Sequence, residues 1–161
     1  MKIFAIDPGT TESAYCIMQD YRPVEFGKIW NYSLKQLLKR RTETEYFDRT
    51  VIEMVASYGM AVGKEVFETC VWIGRFSEAS NVSVDYIYRM DEKMGICHSS
   101  KANDSTIRQA LIDRFATHDF KNGKGTKADP DYFYGFAKDT WAAFAVGVTW
   151  IDKQKGQEDD T

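Results

Sequence analysis

Ile3-Phe4-Ala5-Ile6 is a continuous apolar run, closed by Asp7 and followed at once by the turn sequence Pro8-Gly9-Thr10-Thr11. A run this short, bounded by proline and glycine, predicts a buried strand rather than a helix. Apolar side chains pointing both ways predict a central strand covered on both faces. Asp7 then stands at the carboxyl end of that strand, the place in open α/β sheets where ligands and chemistry collect. An ionised carboxylate there is costly unless it is paired or coordinates a metal. Gly9 lets the backbone turn tightly and lets a substrate approach it closely. Asp-Pro-Gly is also an ordinary turn sequence, so the tripeptide alone leaves turn-capping and chemistry both open.

Strands and turns follow. Ser13 to Met18 predicts a second strand, Asp20-Tyr-Arg-Pro23 a turn, and Val24 to Trp30 a third strand, which together make an antiparallel meander. Ser33 with Gln36 three residues on has the capping-box pattern and predicts a helix start. Leu34, Leu37 and Leu38 form its apolar stripe, and Lys35, Lys39, Arg40 and Arg41 form either a solvated face or a phosphate-contacting patch. Arg49 to Val55 predicts a fourth strand, in which Glu53 interrupts Val51, Ile52, Met54 and Val55. Glutamate inside a buried-strand pattern is rarely fully buried unless paired or metal-bound.

Residues 56–63 predict a flexible loop, and Lys64 to Ser80 a long helix with more apolar surface than a one-sided stripe requires. Such a helix lies between two layers or meets a partner subunit. Val82 to Arg89 alternates as a strand, Met90 to Lys101 is irregular, and Asp104 or Ser105 caps a helix carrying Ile107, Leu111 and Phe115. The basic loop Lys121 to Lys127 lacks the Gly-Lys-Ser/Thr ending of a Walker loop. The Ala/Val/Gly-dense stretch from Lys138 to Ile151 predicts a helix buried on most sides. Asp139 stands at its start, where the helix dipole favours a carboxylate.

Composition limits the alternatives. The 161 residues suit one domain, and 43% hydrophobic with 14% aromatic content is that of a globular chain. No apolar run reaches the roughly 18 residues of a membrane span. A strand beginning at once leaves no room for a signal peptide, and Cys16, Cys70 and Cys97 are too few and too scattered for a disulfide framework or a zinc site. A reducing cytoplasm is therefore expected. A net charge of −3 argues mildly against a nucleic-acid binder, although the basic residues cluster and the carboxyl-terminal Glu158-Asp159-Asp160 is acidic.

Three anomalous carboxylates now stand in order: Asp7, Glu53 and Asp139. With the predicted element order, the stretches Ile6-Asp7-Pro8-Gly9-Thr10, Val51-Ile52-Glu53 and Asp139-Thr-Trp-Ala-Ala-Phe-Ala-Val-Gly147 resemble the RuvC-type Holliday junction resolvases of the ribonuclease H-like superfamily. The resemblance spans nearly the whole chain, and the divergence elsewhere looks like that of a phage-encoded member. It implies an α/β fold: a mixed five-stranded sheet, three antiparallel strands then two more, with helices on both faces. Residues 1–155 would be a single nuclease domain and 156–161 a flexible acidic tail.

The resemblance further implies a homodimeric endonuclease that uses two Mg²⁺ or Mn²⁺ ions per active site to cut four-way DNA junctions by paired nicks. Clustered carboxylates bind such hard cations through oxygen, and two ions about 4 Å apart activate a water and stabilise the leaving oxygen. Asp7, Glu53 and Asp139 would be the metal ligands and catalytic residues. The family pattern has a second acidic residue three positions from the last one. Here Phe136 and Ala142 stand at those positions, so one carboxylate is missing, and Asp131 (or Asp129) is the candidate to reach in from the preceding loop. Arg89, Lys93 and Lys101 fall where the family contacts the scissile phosphate. Tyr58 and Met60 fall where it probes the junction centre, and Lys64–Ser80 where it dimerises.

Three alternatives stand beside this reading. An actin-like ATPase or sugar kinase shares Asp-x-Gly-Thr-Thr but needs two lobes, for which the chain is too short. An RNA-processing nuclease would keep the fold and the metal site. A non-catalytic junction-binding protein would account for the missing carboxylate.

Overall fold

The computed structural model describes residues 1–160. In chain order the elements are β1 (Lys2–Asp7), β2 (Glu12–Gln19), β3 (Arg22–Trp30), α1 (Asn31–Thr44), β4 (Arg49–Met54), α2 (Lys64–Ala79), β5 (Val84–Tyr88), α3 (Arg89–Cys97), α4 (Asp104–Phe115) and α5 (Thr140–Asp159). The five strands form one sheet in the order β3-β2-β1-β4-β5. β1–β2 and β2–β3 are antiparallel, whereas β1–β4 and β4–β5 are parallel. The apolar run at residues 3–6 is thus the central strand, and the sheet is the expected mixed one.

Side-chain alternation along β1 divides the core. Ile3 and Ala5, with Ala14, Cys16 and Met18 of β2, pack under α5 and α4 and against Phe133 and Phe136. Phe4 and Ile6, with Tyr15 and Ile17, pack on the opposite face against Leu34 and Leu38 of α1 and Trp72, Ile73 and Phe76 of α2. Helices therefore cover both faces, as a central strand apolar on both sides demands. Trp141 and every residue from Ala143 to Ile151 of α5 are buried. Gly147 brings this helix close to the sheet, since a Cβ there would sit 2.2 Å from Met18 Sδ.

Several boundaries differ from the sequence expectation. α1 begins at Asn31, not Ser33, because the Asn31 side chain is drawn inward and its backbone N–H donates to the Thr11 carbonyl at 2.9 Å. Asn103, not Asp104 or Ser105, caps α4; its Oδ1 accepts from the Thr106 N–H at 3.0 Å. The stretch expected to be irregular contains α3, and Asp91 Oδ2 accepts from the Tyr88 N–H at 2.8 Å to start it. α5 runs to Asp159, so most of the expected acidic tail is helical, while Thr161 lies outside the described residues. No helix among the described residues is long and apolar enough to cross a membrane.

Candidate active site

The site grows from strand register. Lys28 of β3 is paired with Ala14 of β2, and Ala14 with Asp7 of β1. Ile6 is paired with Ile52 of β4, which carries Glu53 to the level of Asp7. Residues directly opposed on neighbouring strands share a face. Lys28, Asp7 and Glu53 therefore stand in one row, on the side covered by α5, where β1 and β4 end together.

The turn after β1 is clamped from below. Gly9 N–H donates to Ser13 Oγ at 2.9 Å, Ser13 Oγ donates to Asn31 Oδ1 at 2.5 Å, and Asn31 Nδ2 returns a hydrogen bond to the Gly9 carbonyl at 2.9 Å. Ser13 and Asn31 are buried. Gly9 is required by space: a Cβ there would lie 2.2 Å from the Glu12 carbonyl oxygen. This closed loop of polar contacts fixes the chain that leaves Asp7 and so fixes Asp7.

Asp7, Glu53 and Asp139 line one cleft of about 330 Å³. Its rim adds Arg89, Asp104, Arg108 and Lys138, and its floor is apolar, with Ile107, Leu111, Trp141, Ala142 and Ala145. The Asp7 and Glu53 carboxyls lie within hydrogen-bonding reach of each other. Burial holds the Asp7 carboxyl well above the usual carboxylate range, reinforced by Glu53, then Glu92, then Asp139. Asp139 precedes α5 and does not use its side chain to cap the helix; Lys28 Nζ donates to its Oδ2 at 2.6 Å.

Glu92, on α3, escaped the sequence reading. Its side chain is 0% exposed and is the one buried residue of that helix. Arg89 Nη1 donates to Oε2 at 3.0 Å, while Oε1 is buried without a hydrogen-bond partner. Glu92 lies within hydrogen-bonding reach of Glu53, and burial together with Glu53 pushes its carboxyl up to about 9 against the pull of Arg89. Hydrophobic periodicity could not find α3, because its one fully buried position is a glutamate, Met90 and Met94 face outward, and only Ile96 and Cys97 at its end pack against the core. The usable signal was Arg89 three residues before Glu92, an i,i+3 pair on a short helix.

The other expected residues are placed as follows. Arg89 reaches the cleft and also pairs with Asp104. Lys93 and Lys101 lie on α3 and in the turn before α4, and neither lines the cleft. Tyr58 and Met60 are 66% and 75% exposed at the tip of the loop after β4. Asp131 is not brought to the cleft: its carboxyl accepts from the backbone N–H groups of Thr117 at 3.0 Å, His118 at 3.2 Å and Tyr132 at 2.7 Å. It pins the loop after α4.

Among the described residues no three His, Cys, Asp or Glu side chains close into a ready-made metal cluster, and Asp139 is engaged by Lys28. The donor chemistry nevertheless fits a hard divalent cation. The carboxyls of Asp7 and Glu53 oppose each other, Glu92 and Asp139 are near enough to raise Asp7 further, and Glu92 presents an orphan oxygen. Like charges so arranged are relieved by protons or by a cation.

No protein-family model and no curated protein sequence matches this chain. Its fold, however, is shared with known structures. Thermus thermophilus RuvC superposes with a TM-score of 0.65 at 13% identity, covering 97% of each chain. The same protein in complex with a Holliday junction substrate superposes with a TM-score of 0.69 at 10% identity, covering 97% of this chain and 96% of that one. The yeast mitochondrial Holliday junction resolvase gives a TM-score of 0.56 at 10% identity over 98% of this chain and 82% of its own. The chain has the ribonuclease H-like fold of RuvC.

Proposed function

We propose that this protein is a divalent-metal-dependent endonuclease that resolves four-way DNA junctions by paired nicks. The observation that carries the reading is the pair Asp7–Glu53, joined at the ends of adjacent parallel strands, with Asp139 at the start of α5 lining the same cleft. It sits in a fold shared end to end with a RuvC that binds a Holliday junction.

The residues divide the work. Asp7, Glu53 and Asp139 would hold Mg²⁺ or Mn²⁺, which when bound polarises the scissile phosphate and supplies hydroxide at neutral pH. Asp7, held central by the Gly9–Ser13–Asn31 clamp, presents its carboxylate where β1 and β4 end. Arg89, Arg108 and Lys138 on the rim offer cationic contacts to phosphates on either side of the reacting one. Lys93 and Lys101, outside the cleft, would contact phosphates farther along the strand. From the loop after β4, Tyr58 would stack on a base opened at the junction centre, with about 1–3 kcal/mol for the stack, and Met60 would probe the same region. A second copy docked on α2 would place two such clefts on opposed strands.

Two observations favour a second reading. Lys28 engages Asp139, and among the described residues no three carboxylates close into a cluster, which suits a junction-binding protein without catalysis. A single experiment separates the two. An end-labelled four-way DNA junction, a linear DNA duplex and an RNA duplex of equal length are incubated with the protein in Mg²⁺, in Mn²⁺ and in chelator, with Asp7→Asn alongside. Metal-dependent paired nicks in the junction alone, lost in Asp7→Asn while binding persists, are expected. Equal cleavage by wild type and Asp7→Asn would overturn the metal site, and binding without cleavage would establish the second reading. Cleavage of RNA duplexes in preference would reassign the substrate on the same site.

A further inference from the structure

Resting on the metal-site reading above, we infer that Glu92 is the fourth carboxylate of the centre, supplying its free oxygen Oε1 to the cation held by Asp7 and Glu53. The sequence offers no acidic residue three positions from Asp139, where Phe136 and Ala142 stand. The fold supplies one from another element, the first turn of α3.

The geometry distinguishes this from an ordinary buried ion pair. A glutamate kept for structure has donors on both oxygens, because an unsatisfied buried acceptor is destabilising. Arg89 serves only Oε2, at 3.0 Å. Oε1 has no donor at all, is sealed from solvent, and belongs to a carboxyl within reach of Glu53, another acceptor. Placing an acceptor against acceptors makes sense when a cation comes between them. Arg89 then has two tasks: it orients Glu92 through Oε2, leaving Oε1 free, and it is itself tied to Asp104.

The test is Mn²⁺ binding to the full-length protein without DNA, followed by isothermal titration and by loss of the free Mn²⁺ EPR signal. Wild type is expected to bind, and Asp7→Asn to lose binding. Glu92→Gln, which keeps shape and removes the charge, should weaken Mn²⁺ by at least the roughly 10–100-fold that loss of an outer-shell partner costs. Asp131→Asn should titrate as wild type. Glu92→Asp, which keeps the charge but shortens the reach, provides a second variant should Glu92→Gln not fold, and should weaken Mn²⁺ in the same direction. Wild-type affinity in Glu92→Gln, with binding lost in Asp7→Asn, overturns the role of Glu92 and leaves the nuclease reading standing. No binding by wild type overturns both.

Discussion

Lys28 Nζ lies 2.6 Å from Asp139 Oδ2, joining an edge strand to the start of the last helix across 111 residues of sequence. The contact draws Asp139 toward an ammonium group on the row that also holds Asp7. It raises Lys28 above its ordinary value, chiefly through the Asp139 hydrogen bond, so Lys28 is a permanent cation paired with one of the cleft's carboxylates. Removing it frees Asp139 for a metal.

Lys28→Ala should therefore lower the Mg²⁺ concentration at half-maximal junction cleavage. The pair is solvent-exposed, and such pairs stabilise by only about 0–1 kcal/mol, so thermal stability should change little. Cleavage measured across an Mg²⁺ series checks this. A cleavage rate that falls at saturating Mg²⁺, with the half-maximal concentration unmoved, would instead place Lys28 on the substrate phosphate.

The metal-free protein should lose stability as pH rises. Glu92 is shifted upward in the folded state, from 4.5 to about 9, and Asp7 is shifted the same way. The folded state thus binds more protons than the unfolded chain throughout this window. Stability is then greatest below the unfolded value and declines as pH climbs through the folded one. Burial drives the Glu92 shift, Glu53 adds to it, and Arg89 opposes it; Glu92 in turn adds to the rise at Asp7. Thermal unfolding in chelator from pH 5 to pH 9 should show a falling midpoint, with a shallower fall in Glu92→Gln and recovery on adding Mn²⁺. A midpoint independent of pH in wild type would remove the basis for a strained carboxylate cluster.

How much of this could be read from the chain depends on what hydrophobic patterning records. Residues 3–6 announced β1 because every one of them is buried. Glu53 stood out because it broke an apolar run, and Asp139 because it opened an apolar helix. Glu92 did the reverse: it is the one fully buried residue of a short helix whose methionines face outward, so no apolar stripe marked the position as interior. Lys28 sits in an alternating edge strand, where a lysine is unremarkable, and its partnership with Asp139 exists only in the folded register. The helix starts at Asn31, two residues before the Ser33 that carries capping chemistry, because the Asn31 side chain is spent on the turn after β1.

That turn makes its own prediction. Gly9→Ala would force a Cβ to 2.2 Å from a backbone oxygen that cannot swing aside, so the turn must shift. A cost of about 1–3 kcal/mol is expected, as for other overpacked sites. Asn31→Ala would leave the Gly9 carbonyl and the Ser13 hydroxyl without their partner, at about 1–3 kcal/mol for buried groups so orphaned. Both variants should lose junction cleavage by more than their loss of folded protein accounts for, because Asp7 is displaced. Denaturant unfolding and cleavage by the same preparations check this. Full activity per folded molecule would show that the clamp serves stability alone.

The outer face of α2 makes the last prediction. Trp72, Ile73 and Phe76 pack toward the sheet, yet Phe67 and Val71, four residues apart and so on one side of the helix, are 62% and 53% exposed. A helix that buries one stripe and exposes a second apolar pair fits a subunit contact better than a solvated surface. Phe67→Glu should then weaken self-association by about 2 kcal/mol or more, ~30-fold in dissociation constant, as removal of a central aromatic anchor does. Sedimentation velocity should show a wild-type dimer and a variant shifted toward monomer with unchanged thermal stability. Because paired nicking needs two clefts held together, the variant should also nick junctions one strand at a time. A wild-type monomer at micromolar concentration would assign the Phe67–Val71 face to something other than a second copy, and coordinated cleavage would then need another origin.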